Sequence, residues 1–137
     1  MRVRFGLCVY GYVVMPEHVH LLLSEPRLGR LCDALHWLKL PFAKLSRGTR
    51  VEEEGAFWQK RYYDRNIRGH RDFVEKLGYI HRNPVKRGLC AQPEEWLWSS
   101  FRHYAFKKFG SVEIESEWMA RLREKSRTVE ETTRISG

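Results

Sequence analysis

Two apolar runs flank Met15-Pro16-Glu17, and this arrangement constrains the chain more than any other stretch. Proline after an apolar run, followed at once by another, reads as two strands over 8–15 and 18–24 joined by a tight hairpin. Side chains on a strand alternate between its two faces. His18 and His20 therefore share one face of the second strand. Val19, Leu21 and Leu23 fall on the other, which the pattern assigns to the core.

Two imidazoles side by side form half of a metal site, because nitrogen donors suit a divalent ion and further ligands can come from elsewhere. The same pattern also describes a polar strand face turned to water. The second half of such a site lies at Tyr79 and Asn83, one turn apart on a single helix face. Asn83 would add a carbonyl oxygen as third ligand, and Tyr79 a nucleophilic oxygen. Two imidazoles and an amide oxygen, with positions left open, favour Mg2+ or Mn2+ over structural zinc. Such an ion would polarise a phosphodiester oxygen and orient it for in-line attack. Attack by Tyr79 would leave a covalent phosphotyrosine. The bland alternatives are a core-edge tyrosine and an Asn-Pro helix stop. His81 lies about 200° around the helix from Tyr79 and is expected to face elsewhere. His36, His70 and His103 read as ordinary histidines.

The rest of the chain supplies the frame. Residues 1–7 are short and basic. Leu31, Leu35, Leu38 and Phe42 mark an amphipathic helix over about 28–46, with Trp37 in the core or at its edge and Pro41 expected to kink or split it. The aromatic-rich segment 56–67 predicts a third strand. A helix follows over about 70–82, with Phe73, Leu77 and Ile80 on its apolar stripe, and Asn83-Pro84 is expected to stop it. Residues 96–106 predict a further helix. Residues 115–127 predict a last one, with Trp118 and Leu122 buried, before a polar tail.

The chain has 137 residues, enough for one domain with a core, and carries a net charge of +8. The charge is local: residues 60–88 hold nine Lys and Arg against Asp64, Asp72 and Glu75. Basic side chains interleaved with Tyr62, Tyr63 and Tyr79 favour a polyphosphate backbone. Lys60, Arg61, Arg65, Arg68, Arg82, Lys86 and Arg87 are the candidate DNA contacts. No apolar run is long enough to span a membrane and no signal-peptide pattern is present. Cys8, Cys32 and Cys90 form neither a disulfide framework nor a zinc set, so a cytoplasmic location is expected.

Three segments, in order, resemble the HUH-type single-strand transposases, and most closely the REP-associated tyrosine transposases. They are Val14-Met15-Pro16-Glu17-His18-Val19-His20-Leu21-Leu22-Leu23, Phe57-Trp58-Gln59-Lys60-Arg61-Tyr62-Tyr63-Asp64 and Tyr79-Ile80-His81-Arg82-Asn83-Pro84-Val85-Lys86-Arg87-Gly88-Leu89, with Trp96-Leu97-Trp98-Ser99-Ser100 as a tail. The resemblance covers roughly residues 8–106. It implies an α+β fold, a ferredoxin-like antiparallel sheet with packed helices. The transposase-like domain would occupy 1–110, with a C-terminal helix and tail over 111–137.

It also implies that His18, His20 and Asn83 hold a Mg or Mn ion and that Tyr79 is the nucleophile. The reaction would cleave and rejoin single-stranded DNA bearing a hairpin, through a 5′-phosphotyrosine that frees a 3′-hydroxyl. The protein would act as monomer or homodimer. Two departures stand out. Glu17 replaces the family's usual Asn, with a small effect expected. The family's first strand and helix, which precede the hairpin, are missing from this sequence, which implies unpaired strand edges and exposed apolar surface. A non-catalytic DNA-binding remnant or regulator recognising hairpin DNA is the alternative. An RNA-binding module is a third, and it leaves His18, His20 and Tyr79 without a purpose.

Overall fold

The computed structural model describes residues 1–46 and 62–135. They divide into two compact units. The first comprises Met1–Leu7 and Glu25–Phe73, the second Cys8–Ser24 and Val74–Gly137.

In the first unit a short helix, α1 (Arg2–Phe5), ends at Gly6, whose φ of 59° is left-handed and suits glycine. The Phe5 carbonyl accepts from the Arg27 and Leu28 amides, which ties the connection to this turn. Helix α2 spans Leu31–Ser46 and opens on an Arg30–Asp33 ion pair. Ala34 is fully buried, while Trp37 and Leu38 are exposed. Trp37, at 38% exposure, thus stands at the edge of the core rather than in it. Pro41 lies inside the helix and does not split it. The predicted strand over 56–67 lies outside the described residues up to 61, and residues 62–67 form no strand. Among those residues Arg65 pairs with Asp72, which accepts from the Arg68 amide at the start of the next helix.

The second unit is organised by the hairpin. Strands β1 (Val9–Val14) and β2 (Val19–Leu23) pair antiparallel, with Val13 opposite His20 and Gly11 opposite Leu22. A bulge lies between Val9 and Gly11. Val9, Val13, Met15 and Leu22 are buried, so the covered face is the one that carries His20. This corrects the core assignment for β2: Val19, Leu21 and Leu23 are only half-buried. The cause is helix α3 (Gly69–Lys86), whose Leu77 packs on that face. A β-carbon on Gly11 would stand 2.6 Å from the Leu77 Cδ1, so any larger residue there would force the Leu77 side chain to shift.

Helix α3 is longer than its sequence suggests. It runs through Asn83-Pro84, and Pro84 is fully buried. The bias of a pre-proline residue against helix is outweighed here by the burial of the ring. The true stop is Gly88, with φ 68°. Its amide reaches the Val85 carbonyl and the Leu89 amide reaches that of Pro84, the paired bonds of a Schellman motif.

The outer edge of β1 is paired. Val13 bridges antiparallel to Ser99, and Val14 donates to the Trp98 carbonyl. The Val14 carbonyl accepts from the Trp96 indole, and the Tyr10 carbonyl from the Tyr104 hydroxyl. The Val9 carbonyl accepts from the Glu115 amide. Apolar surface does stay exposed nearby, at Leu97 and Trp98. The segment 96–106 is helical only in part: α4 spans Phe101–Phe106. The last helix, α5 (Glu117–Ile135), extends beyond its predicted end, with Trp118 half-buried and Leu122 exposed rather than buried. No described helix is long and apolar enough to cross a membrane.

Candidate functional site

The hairpin and the C-terminal half of α3 bring the four predicted site residues together, all within the second unit. His18 and His20 present their Nε2 atoms to each other at 3.0 Å, with rings 4.7 Å apart and nearly perpendicular. The Asn83 carboxamide reaches His20 Nε2, also at 3.0 Å. The rings of His20 and Tyr79 lie 5.7 Å apart, edge to face. Because α3 covers the histidine-bearing face of the sheet, its side chains can meet the pair. The opposite arrangement would have put the imidazoles out of reach.

Burial grades across the site. Asn83 is buried and the histidines are half-buried, whereas Tyr79 is 44% exposed. Burial, reinforced by the neighbouring His18, pushes the His20 imidazole below its ordinary value. It is thereby held neutral with a lone pair available.

The donor set fits a hexacoordinate ion. Two adjacent ligands of an octahedral Mg2+, each at about 2.1 Å, stand about 3 Å apart. The two Nε2 atoms match that spacing. Rotating the Asn83 carboxamide by half a turn exchanges its NH2 for its carbonyl oxygen, a donor for such an ion. Among the described residues no three His, Cys, Asp or Glu side chains gather into a metal set.

The basic candidates divide. Lys86 places its ammonium 5.4 Å from the centre of the Tyr79 ring, and Arg82 is exposed on the same helix. Arg87 is engaged by Glu17 at 3.1 Å. Arg65 and Arg68 belong to the other unit, and Lys60 and Arg61 lie outside the described residues.

His81 faces away from Tyr79, as expected, and is buried. Its Nε2 meets the Ser100 hydroxyl at 2.8 Å, and Ser100 accepts from the Tyr12 amide. Burial, with help from the Arg82 charge, pushes His81 down to about 4. His103 is likewise buried, against the Ser116 hydroxyl at 2.8 Å. Sequence reasoning missed these serines and the contacts of Glu17. Only the Ser99-Ser100 pair within an aromatic segment could have hinted at the former.

The fold is shared with a solved protein structure. A solved REP-associated tyrosine transposase bound to a REP hairpin superposes with a TM-score of 0.64 and 22% identity, over 84% of this chain and 69% of that one. This confirms the α+β fold expected. In sequence, a putative REP-associated tyrosine transposase of Haemophilus influenzae is 29% identical over 97 residues, 64% of this chain and 55% of that protein. The REP-associated tyrosine transposase of Escherichia coli K12 is 29% identical over 93 residues, 68% of this chain and 53% of that protein. The resemblance carried by the motifs is thus borne out. The chain spans about half the length of these curated relatives. No family model matches it.

Proposed function

We propose that this chain carries the site of a DNA-strand transferase, acting on single-stranded DNA next to a hairpin, with Tyr79 as nucleophile. His18, His20 and Asn83 would hold a Mg or Mn ion. The observation that carries this is the edge-to-face approach of Tyr79 to His20, from two elements far apart in sequence. The transposase with a similar fold is itself bound to a REP hairpin, which supports hairpin DNA as the substrate class.

When bound, the ion would draw charge from a phosphodiester oxygen and hold it for in-line attack. Tyr79 would supply the phenolic oxygen that bonds to phosphorus, while the bond from phosphorus to the 3′ oxygen breaks. The phenolic proton leaves to solvent, which reaches this exposed side chain, and the departing 3′ oxygen takes up a proton. The product is a 5′-phosphotyrosine and a free 3′-hydroxyl, and a second 3′-hydroxyl reverses the step to rejoin the strand. Lys86 and Arg82, on the same helix, would offset phosphate charge. Asn83, buried and one turn from Tyr79, fixes the nucleophile's distance from the imidazoles.

Incubation with a single-stranded oligonucleotide carrying a hairpin and Mn2+ tests this. The expected result is a covalent adduct in the wild-type chain and none with Tyr79→Phe, with oligonucleotide affinity changed less than about threefold, since phosphate contacts set affinity. Undiminished adduct in the variant overturns the nucleophile assignment. Metal-independent hairpin binding with no adduct from either protein would identify a binding remnant instead.

A further inference from the structure

Glu17 stands in the hairpin turn, where sequence reasoning gave it little weight. The structure gives it two partners. One carboxylate oxygen meets the Arg87 guanidinium at 3.1 Å, and the other lies 3.7 Å from Nδ1 of His18. Arg87 follows the last turn of α3, so the pair bridges the hairpin to the end of the helix that carries Tyr79 and Asn83.

The chemistry of the imidazole gives this contact a direction. His18 turns Nε2 towards His20, the point where an ion would sit. A neutral imidazole that ligates through Nε2 must carry its hydrogen on Nδ1. Nδ1 is the atom that faces Glu17. A carboxylate on the far nitrogen of a ligating histidine selects that tautomer, fixes the ring and raises the basicity of the donor atom. Arg87 keeps the carboxylate in place, because an exposed glutamate would otherwise sample many rotamers. We infer that Glu17, held by Arg87, is a positioning residue that prepares His18 for the divalent ion. This rests on the metal site proposed above. It also gives Arg87 a role apart from phosphate contact.

The test is Mn2+ binding, followed by the loss of the free-ion signal in electron paramagnetic resonance, without DNA and without turnover. Wild-type protein should bind, and His18→Ala should not. Glu17→Ala should weaken binding about tenfold, the lower end for loss of such a partner. Glu17→Gln, which keeps an acceptor oxygen, should recover part of that loss. Arg87→Ala should weaken binding by a smaller factor than Glu17→Ala. Thermal unfolding of all variants should match the wild type within a few degrees, which separates positioning from simple support of the turn. Wild-type affinity in Glu17→Ala overturns the inference and leaves the metal site standing. Absence of Mn2+ binding by the wild-type chain overturns the metal site, and the inference with it.

Discussion

The second unit holds two pairs of histidines that differ in every respect except residue type. At the turn end of the hairpin, His18 and His20 turn Nε2 atoms towards each other, beside the Asn83 amide, the Tyr79 ring and the Glu17 carboxylate. Behind the sheet, His81 and His103 are buried, and each meets a serine hydroxyl at 2.8 Å. The inner pair is satisfied by its surroundings and works as structure. The outer pair turns two ring nitrogens towards one point in space, an arrangement that suits a shared cation. Identity of the side chain thus says little; what its free nitrogen faces says nearly everything.

Acid should separate the pairs most strongly. His81 titrates at about 4 in the folded chain, against its ordinary value of 6.5. Between those values the unfolded chain binds the proton and the folded chain does not. Stability should therefore be full above pH 6.5 and fall as the pH drops towards 4, by about 3 kcal/mol from this group. His81→Gln should flatten that part of the curve in chemical denaturation at a series of pH values. Equal slopes in the two proteins would break the distinction drawn for the inner pair.

Next in size is the response to metal. His20→Ala should weaken Mn2+ binding more than about 100-fold, beyond what loss of a supporting residue costs. Its stability should change by under about 1 kcal/mol, since a half-exposed side chain is lost. His103→Ala should do the reverse, losing stability with Mn2+ affinity intact. Spectroscopic titration and denaturation on the same samples would show whether the two effects separate.

The smallest effect concerns the contact that joins the regions. Gly11→Ala forces a methyl group against Leu77, at a cost of about 2 kcal/mol in denaturant unfolding. A shift of Leu77 passed along α3 should slow adduct formation by Tyr79 as well. A stable variant with full activity would show that helix and strand can separate without disturbing the site.

Much of this was legible from local pattern. The Met15-Pro16-Glu17 break marks the hairpin, the His18–His20 spacing marks a shared face, and the Tyr79–Asn83 spacing marks a shared helix side. Other features depend on packing that local pattern cannot express. Strand β2 is more apolar on its odd positions, yet α3 lands on the even ones, because Gly11 leaves room for it there. Asn83-Pro84 looks like an ending, yet burial of Pro84 and the cap at Gly88 carry the helix another turn. The rungs from β1 to Trp98 and Ser100 join residues more than eighty positions apart. No window of sequence short enough to show periodicity contains both. Glu17 was undervalued for the same reason, since its partner Arg87 arrives from the far end of another element.

The openness of Tyr79 limits what it can serve. A small ester could be enclosed and released through a narrow mouth. A nucleic-acid strand is bulky, flanked on both sides by more of itself, and cannot be threaded from an end that lies far away. On the proposed reading, an exposed phenol would let such a strand settle sideways, and after scission would leave the tethered terminus room to swing towards a new acceptor.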